Sequence, residues 1–173
     1  MDRSQELRAH NTIVGGVVAG SVAAAALTSM MTVMSLVRGN DPWYGMKGAA
    51  APFIGERALG SGFDFGAVSL GLTCHLLVSM AWGLGFAFLF DGMRKGVTMI
   101  AGVVWGFVVW IGMYYIVLPM VGLAQMTAEA PVGRVITYHL FFGLAVAVAY
   151  LGWETEDDRH AAERRRIFRE AHA

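Results

Sequence analysis

The sequence predicts an all-α membrane protein: four transmembrane helices built as a duplicated two-helix hairpin, with both termini in the cytoplasm. Three observations lead there. The 173 residues are 56% hydrophobic and only 15% charged, with a mean hydropathy of +0.54, whereas a soluble domain carries about 25% charged residues. Second, the charges lie in the ends and connections. They leave uncharged runs at about 12–37, 66–90, 97–122 and 135–153. Each run approaches or exceeds the ~20 residues that cross a hydrocarbon core. In lipid the backbone must satisfy its own hydrogen bonds, so these runs are helices. Third, the chain repeats itself. The second run opens Thr73-Cys74-His75-Leu76 and the fourth Thr137-Tyr138-His139-Leu140, while Ala19-Gly20-Ser21-Val22 in the first run is answered by Ala101-Gly102-Val103-Val104 in the third. Residues 1–173 therefore read as a single integral membrane domain. Copies of a two-span unit point the same way, about a pseudo-two-fold axis along the membrane normal. That axis places His75 and His139 at equal depth.

Each element has its own justification. Residues 1–11 are a short polar lead. The first run is longer than the ~7–15-residue apolar core of a cleaved signal peptide, and it belongs to the repeat, so it reads as a span. Its Gly16, Gly20, Ala24, Thr28 and Thr32 recur every four residues, a small-residue stripe that lets a second helix approach closely. Met30, Met31 and Met34 add adaptable packing surface. The outer loop, 38–64, opens with the turn signal Asn40-Asp41-Pro42, and Trp43-Tyr44 suit the headgroup layer. Pro52 is placed to start a short helix running to Leu59, which would lie on the membrane surface or cap the bundle; a lid over a substrate is the alternative.

In the second run His75 stands above Ser79 and Gly83, four and eight residues on. Asp91–Lys95 is a tight turn that makes runs two and three antiparallel neighbours. The third run holds Trp105, Phe107, Trp110, Tyr114 and Tyr115, a second stripe at Gly102 and Gly106, and Pro119 near its outer end. After the brief loop 124–133, Arg134 opens the fourth run, where His139 stands above Gly143 and Ala147. The tail, 154–173, has acids first and then Arg159 and Arg164-Arg165-Arg166. That order suits a cytoplasmic helix and its macrodipole; Ile167 and Phe168 would rest on anionic lipid or the tail would simply be solvated. Basic residues concentrate in the N-terminal lead, the 91–95 turn and the tail, so the positive-inside bias puts both ends in the cytoplasm. The lone Cys74 excludes an internal disulfide.

On the duplicated hairpin, the Thr-x-His-Leu helices and the Gly-rich third run ending in Leu118-Pro119-Met120, residues 12–153 resemble a widespread family of small four-span membrane proteins of bacteria and archaea, mostly of uncharacterised function. Some members are similar to proteins encoded beside respiratory oxidase or cytochrome genes. The resemblance implies a multi-pass protein of the prokaryotic inner membrane and tilts its role toward a respiratory complex.

The histidines carry the remaining chemistry. An imidazole in a span is costly and therefore a functional candidate, and three readings stand. The first is interhelical hydrogen bonding, with Thr73, Ser79, Thr137 and Tyr138 near in sequence. The second is axial ligation of one haem b by His75 and His139, with Gly83 and Gly143 leaving room for the ring and Arg57 or Arg134 meeting the propionates. The third is a proton relay in a small transporter, against which no charged residue lies in any run. No nucleophile–base pair, carboxylate cluster or phosphate loop suggests an enzyme, and nothing basic and aromatic suggests nucleic acid. The expectation is a non-catalytic accessory subunit of a larger membrane complex, with no resident cofactor, bound lipid, and other membrane subunits as partners; a homo-oligomer is compatible. The stripes at Gly16, Gly20, Ser79, Gly83, Gly102, Gly106, Gly143 and Ala147 are the packing surfaces. They exceed what four helices need, so Gly102→Leu or Gly106→Leu is expected to weaken assembly and leave the bundle intact.

Overall fold

The apolar runs fold as helices, as their lack of charge requires in lipid. A computed structural model describes residues 3–123 and 131–171, with the backbone alone at 3, 4, 8 and 156–171. The described elements are α1 (Arg3–Val37), α2 (Tyr44–Gly48), α3 (Ala51–Ile54), a 3-10 turn (Gly55–Leu59), α4 (Phe65–Phe90), α5 (Lys95–Gly112), a π turn (Met113–Val117), α6 (Leu118–Met120) and α7 (Val132–Ala171). Among the described residues, four segments are long and apolar enough to cross a membrane: Gln5–Val37, Phe65–Phe90, Lys95–Met120 and Val132–Thr155.

Helix ends follow local chemistry. α1 stops at Gly39, whose φ of 69° closes the helix. Asn40 N–H reaches Ser35 O at 2.9 Å and Gly39 N–H reaches Leu36 O at 3.0 Å, the paired bonds of a Schellman motif. α4 starts on Asp64, whose carboxylate accepts from Ala67 N–H at 3.0 Å and so covers a donor the helix leaves free. In the third span the Leu118 N–H bonds back to Met113 O. This five-residue step widens the helix just before Pro119, which lacks the donor that a regular turn would use.

Two boundaries differ from the sequence expectation. The span and the tail are one helix: α7 runs unbroken from Val132 to Ala171, because extending a formed helix is far cheaper than nucleating a new one. The loop 38–64 holds three short helical turns where one helix through Pro52 is expected. Gly55, with φ at 57°, breaks the run. The expectations for residues 124–130 and for the side chains of the arginine-rich tail fall outside the described residues.

α1 packs along α4, and α5 along α7; α1 and α7 join the two pairs, while α4 and α5 meet sparingly. Large aromatics fill the space where α4 and α5 stand apart. Trp105 makes edge-to-face contacts with Trp82, Phe86 and Phe90, at centroid distances of 5.7, 6.1 and 6.1 Å. Phe86 meets Tyr150 of α7 at 6.0 Å. Phe86, Ala87, Val146, Ala147, Ala19 and Ala23 are wholly buried at this centre. Trp105 of the aromatic third span thus serves the interior, whereas Phe107 and Tyr115 point outward.

Candidate functional site

Two tight helix seams are built by the small residues. A Cβ on Gly16 would sit 2.9 Å from Leu84 Cα and 2.9 Å from Ala87 Cβ, and one on Gly83 would sit 2.7 Å from both Gly20 Cα and Gly20 N. Gly20 itself lies against the Ser79 carbonyl. The other pair repeats this. Gly102 would meet Gly143 O at 2.8 Å and lies against the Ala147 methyl, Gly106 would meet Leu140 Cα at 2.8 Å and His139 O at 2.6 Å, and Gly143 would meet Gly106 Cα at 2.7 Å. Real Cβ atoms do not approach that closely, so the backbones run in contact only because these positions have no side chain.

This seam corrects two expectations. The Gly102/Gly106 stripe is not spare surface for a partner: α7 already fills it. Leucine at either position would therefore open the α5–α7 pair itself. Gly20 meets Ser79 where Gly106 meets His139, and Gly83 and Gly143 hold the same place in their seams. In that register His139 holds the place of Ser79 and His75 that of Val135, while the two imidazoles lie near enough to interact electrostatically. The room beside Gly83 and Gly143 is occupied by the backbones of α1 and α5, and is closed to a haem ring.

The surroundings of the two imidazoles differ. His139 Nδ1 pairs with Val135 O at 2.8 Å, one turn back on its own helix, and Tyr114 packs edge-on at 6.1 Å. The Ala24 carbonyl of α1 is a polar neighbour of His75 and accepts at most a poorly aligned hydrogen bond; no well-formed bond reaches the buried Nε2. The nearby hydroxyls are otherwise engaged: Thr73 donates to Ser69 O at 2.9 Å and Thr137 to Gly133 O at 2.8 Å. His75 lines a cleft of about 10 Å³ with Thr28, Met31, Gly45, Met46 and Leu72, enough for a single water. It is where the α1–α4 seam ends beneath α2. Close approach continues there, since Gly71 of α4 lies against the Met46 carbonyl.

The loop above this cleft is locked by a buried ion pair. Lys47 is 1% exposed, and its Nζ donates to Asp41 Oδ2 at 2.9 Å, to Gly62 O at 2.6 Å and to Gly60 O. Every donor of the ammonium has an acceptor, which is what makes its burial tolerable. Asp41 also accepts from Trp43 N–H at 2.9 Å and Gly62 N–H at 3.0 Å. Partial burial opposes ionisation of Asp41, but the bonds from Lys47, Trp43 and Gly62 outweigh it and hold the carboxyl below its usual range. Arg57 is not free for other acids: it grips Asp64 at 2.9 and 3.2 Å. That hydrogen bond, with the Ala67 N–H, pulls Asp64 down to about 2.

At the opposite end Asp91 ties three elements. Its carboxylate accepts from Tyr150 Oη at 2.6 Å and from Thr12 Oγ1 at 3.2 Å, while Gly92 N–H donates to Glu154 at 3.1 Å. Neither clamp is read from the sequence, where Lys47 and Asp91 are two of the charges that lie in the connections. The signal for Lys47 was its setting in Gly-Met-Lys-Gly-Ala-Ala-Ala, where small neighbours let backbone close around the ammonium. Asp91 carries no such signal, because its partners are 59 and 79 residues away.

Among the described residues no three His, Cys, Asp or Glu side chains converge as a metal site. No family model, curated protein or solved structure matches the chain.

Proposed function

We propose that this protein is a non-catalytic subunit of a larger assembly in the prokaryotic inner membrane, with both termini cytoplasmic, and that its two hairpins are copies of one ancestral unit. The observation that carries the assembly role is a face of α1 left exposed among the described residues. Val22, Ala25, Ser29, Val33 and Leu36 follow one another at helical spacing and are all exposed, opposite the Gly16/Gly20 seam. Ala25 and Ser29 are small and four residues apart. The Ser29 hydroxyl is already paired with Ala25 O at 2.8 Å, so the stripe offers a smooth surface for a further helix. The shared seam register of the two helix pairs supports the duplication, and the basic bias of the ends supports the orientation. Resemblance to proteins encoded near terminal oxidases makes a respiratory complex the assembly of choice.

The test is native mass spectrometry of the protein released from its own membranes in mild detergent, with Ala25→Leu/Ser29→Leu beside the parent. The expected result is a larger hetero-assembly that the double variant loses while its own melting is unchanged. A monomer or homodimer from parent membranes overturns the proposal, as does an assembly indifferent to both substitutions.

A further inference from the structure

We propose that the cleft under α2 is a binding site for one Cu(I) ion, ligated by His75 Nε2 and the thioether sulfurs of Met31 and Met46. Three elements meet there: α1 brings Met31 and Thr28, α2 brings Met46 and Gly45, and α4 brings His75 and Leu72. The imidazole Nε2 is buried without a well-formed hydrogen bond, the Ala24 carbonyl of α1 being a polar neighbour. A buried polar atom left unpaired is costly and calls for an occupant.

The donors select the occupant. One imidazole and two thioethers are soft, neutral ligands, the set that favours Cu(I); magnesium, calcium and manganese want oxygen. Charge points the same way. No carboxylate lines the cleft, and Asp41, an acid of the loop that carries Met46, is committed to Lys47. A divalent ion would stay uncompensated in a low-dielectric setting, whereas a monovalent soft ion on neutral donors carries a smaller burden. Size agrees, since about 10 Å³ holds one small ion or water. Gly45 also acquires a reason: a Cβ there would strike the Met31 methyl, so glycine leaves that thioether its place. Cys74, next to His75 on α4, is absent from the cleft lining.

The test uses the full chain in lipid nanodiscs under anaerobic, reducing conditions, titrated with Cu(I) against a chromophoric Cu(I) chelator. One equivalent per chain should be retained, with X-ray absorption showing mixed nitrogen and sulfur ligation. His75→Phe, Met31→Leu and Met46→Leu keep apolar volume and remove one donor each. Each should weaken retention at least about tenfold, the scale that even outer-shell changes reach at metal sites. Cys74→Ser should leave it unchanged. Should His75→Phe fail to fold, the two leucine variants decide. No retained copper, retention lost in Cys74→Ser, or retention indifferent to both leucine variants overturns the proposal.

Discussion

Replacing Lys47 by methionine should release the loop from the bundle without unfolding the spans. The substitution keeps the length and apolar stem of the side chain and removes only the ammonium. Its loss leaves Asp41 Oδ2 facing a buried site without its cation, and frees the Gly60 and Gly62 carbonyls. Breaking a buried pair on one side costs about 3–5 kcal/mol. Here the lower end applies. Asp41 is 20% exposed and keeps the Trp43 and Gly62 amide donors, and both glycines are exposed enough for water to reach their carbonyls. About 3 kcal/mol corresponds to roughly a 100-fold rise in local opening. Hydrogen exchange in nanodiscs reads this directly at the Gly62 and Ala50 amides, which bond to Asp41 and Lys47 O in the parent. Those amides should exchange about 100-fold faster while amides within α4 and α7 keep their protection. Asp41→Asn leaves the Lys47 ammonium, 1% exposed, without its counter-charge and should cost at least as much, about 3–5 kcal/mol. Parent-like exchange in Lys47→Met would refute the clamp.

The seams yield a paired prediction. Gly83→Ala drives a Cβ to 2.7 Å from the Gly20 backbone, where neither helix has a flexible atom to yield, and should cost about 3 kcal/mol in detergent-induced unfolding; Gly152→Ala meets nothing within 4 Å and should be neutral or gain up to about 1 kcal/mol. Equal stabilities would sink the close-contact account. Tyr150→Phe deletes the 2.6 Å bond to Asp91 and should lower stability by about 2 kcal/mol, as for hydrogen bonds to charged groups, read in the same unfolding assay. Acid should loosen the loop. Asp41 and Asp64 titrate below the ordinary 3.8 when folded, so the stability they add is complete above about pH 4 and disappears as pH falls toward 2. Exchange at the Gly62 amide should accelerate across that window, and a pH-independent rate, corrected for intrinsic exchange, would contradict it.

Four spans were legible in the sequence because lipid imposes one rule on every residue of a span: carry no charge and close the backbone bonds locally. The small-residue stripes were legible too, since a spacing of four marks one helix face. What the stripes touch was not. Gly102 and Gly106 serve the α5–α7 seam and not a partner, and the glycine contacts put Ser79, not His75, in the place that His139 holds in its own seam. Periodicity tells which residues share a face and is silent on which helix lies against it. Lys47, Asp41 and Asp91 show the same limit. Each looks like a solvated loop charge until chain segments 6 to 79 residues away bring its partners in. The cleft at His75 needs three helices to exist at all. The sequence by itself determined the membrane class and the helical elements, because those depend on local composition; the tertiary structure alone decided pairing, register and the site, because those depend on which distant surfaces come into contact.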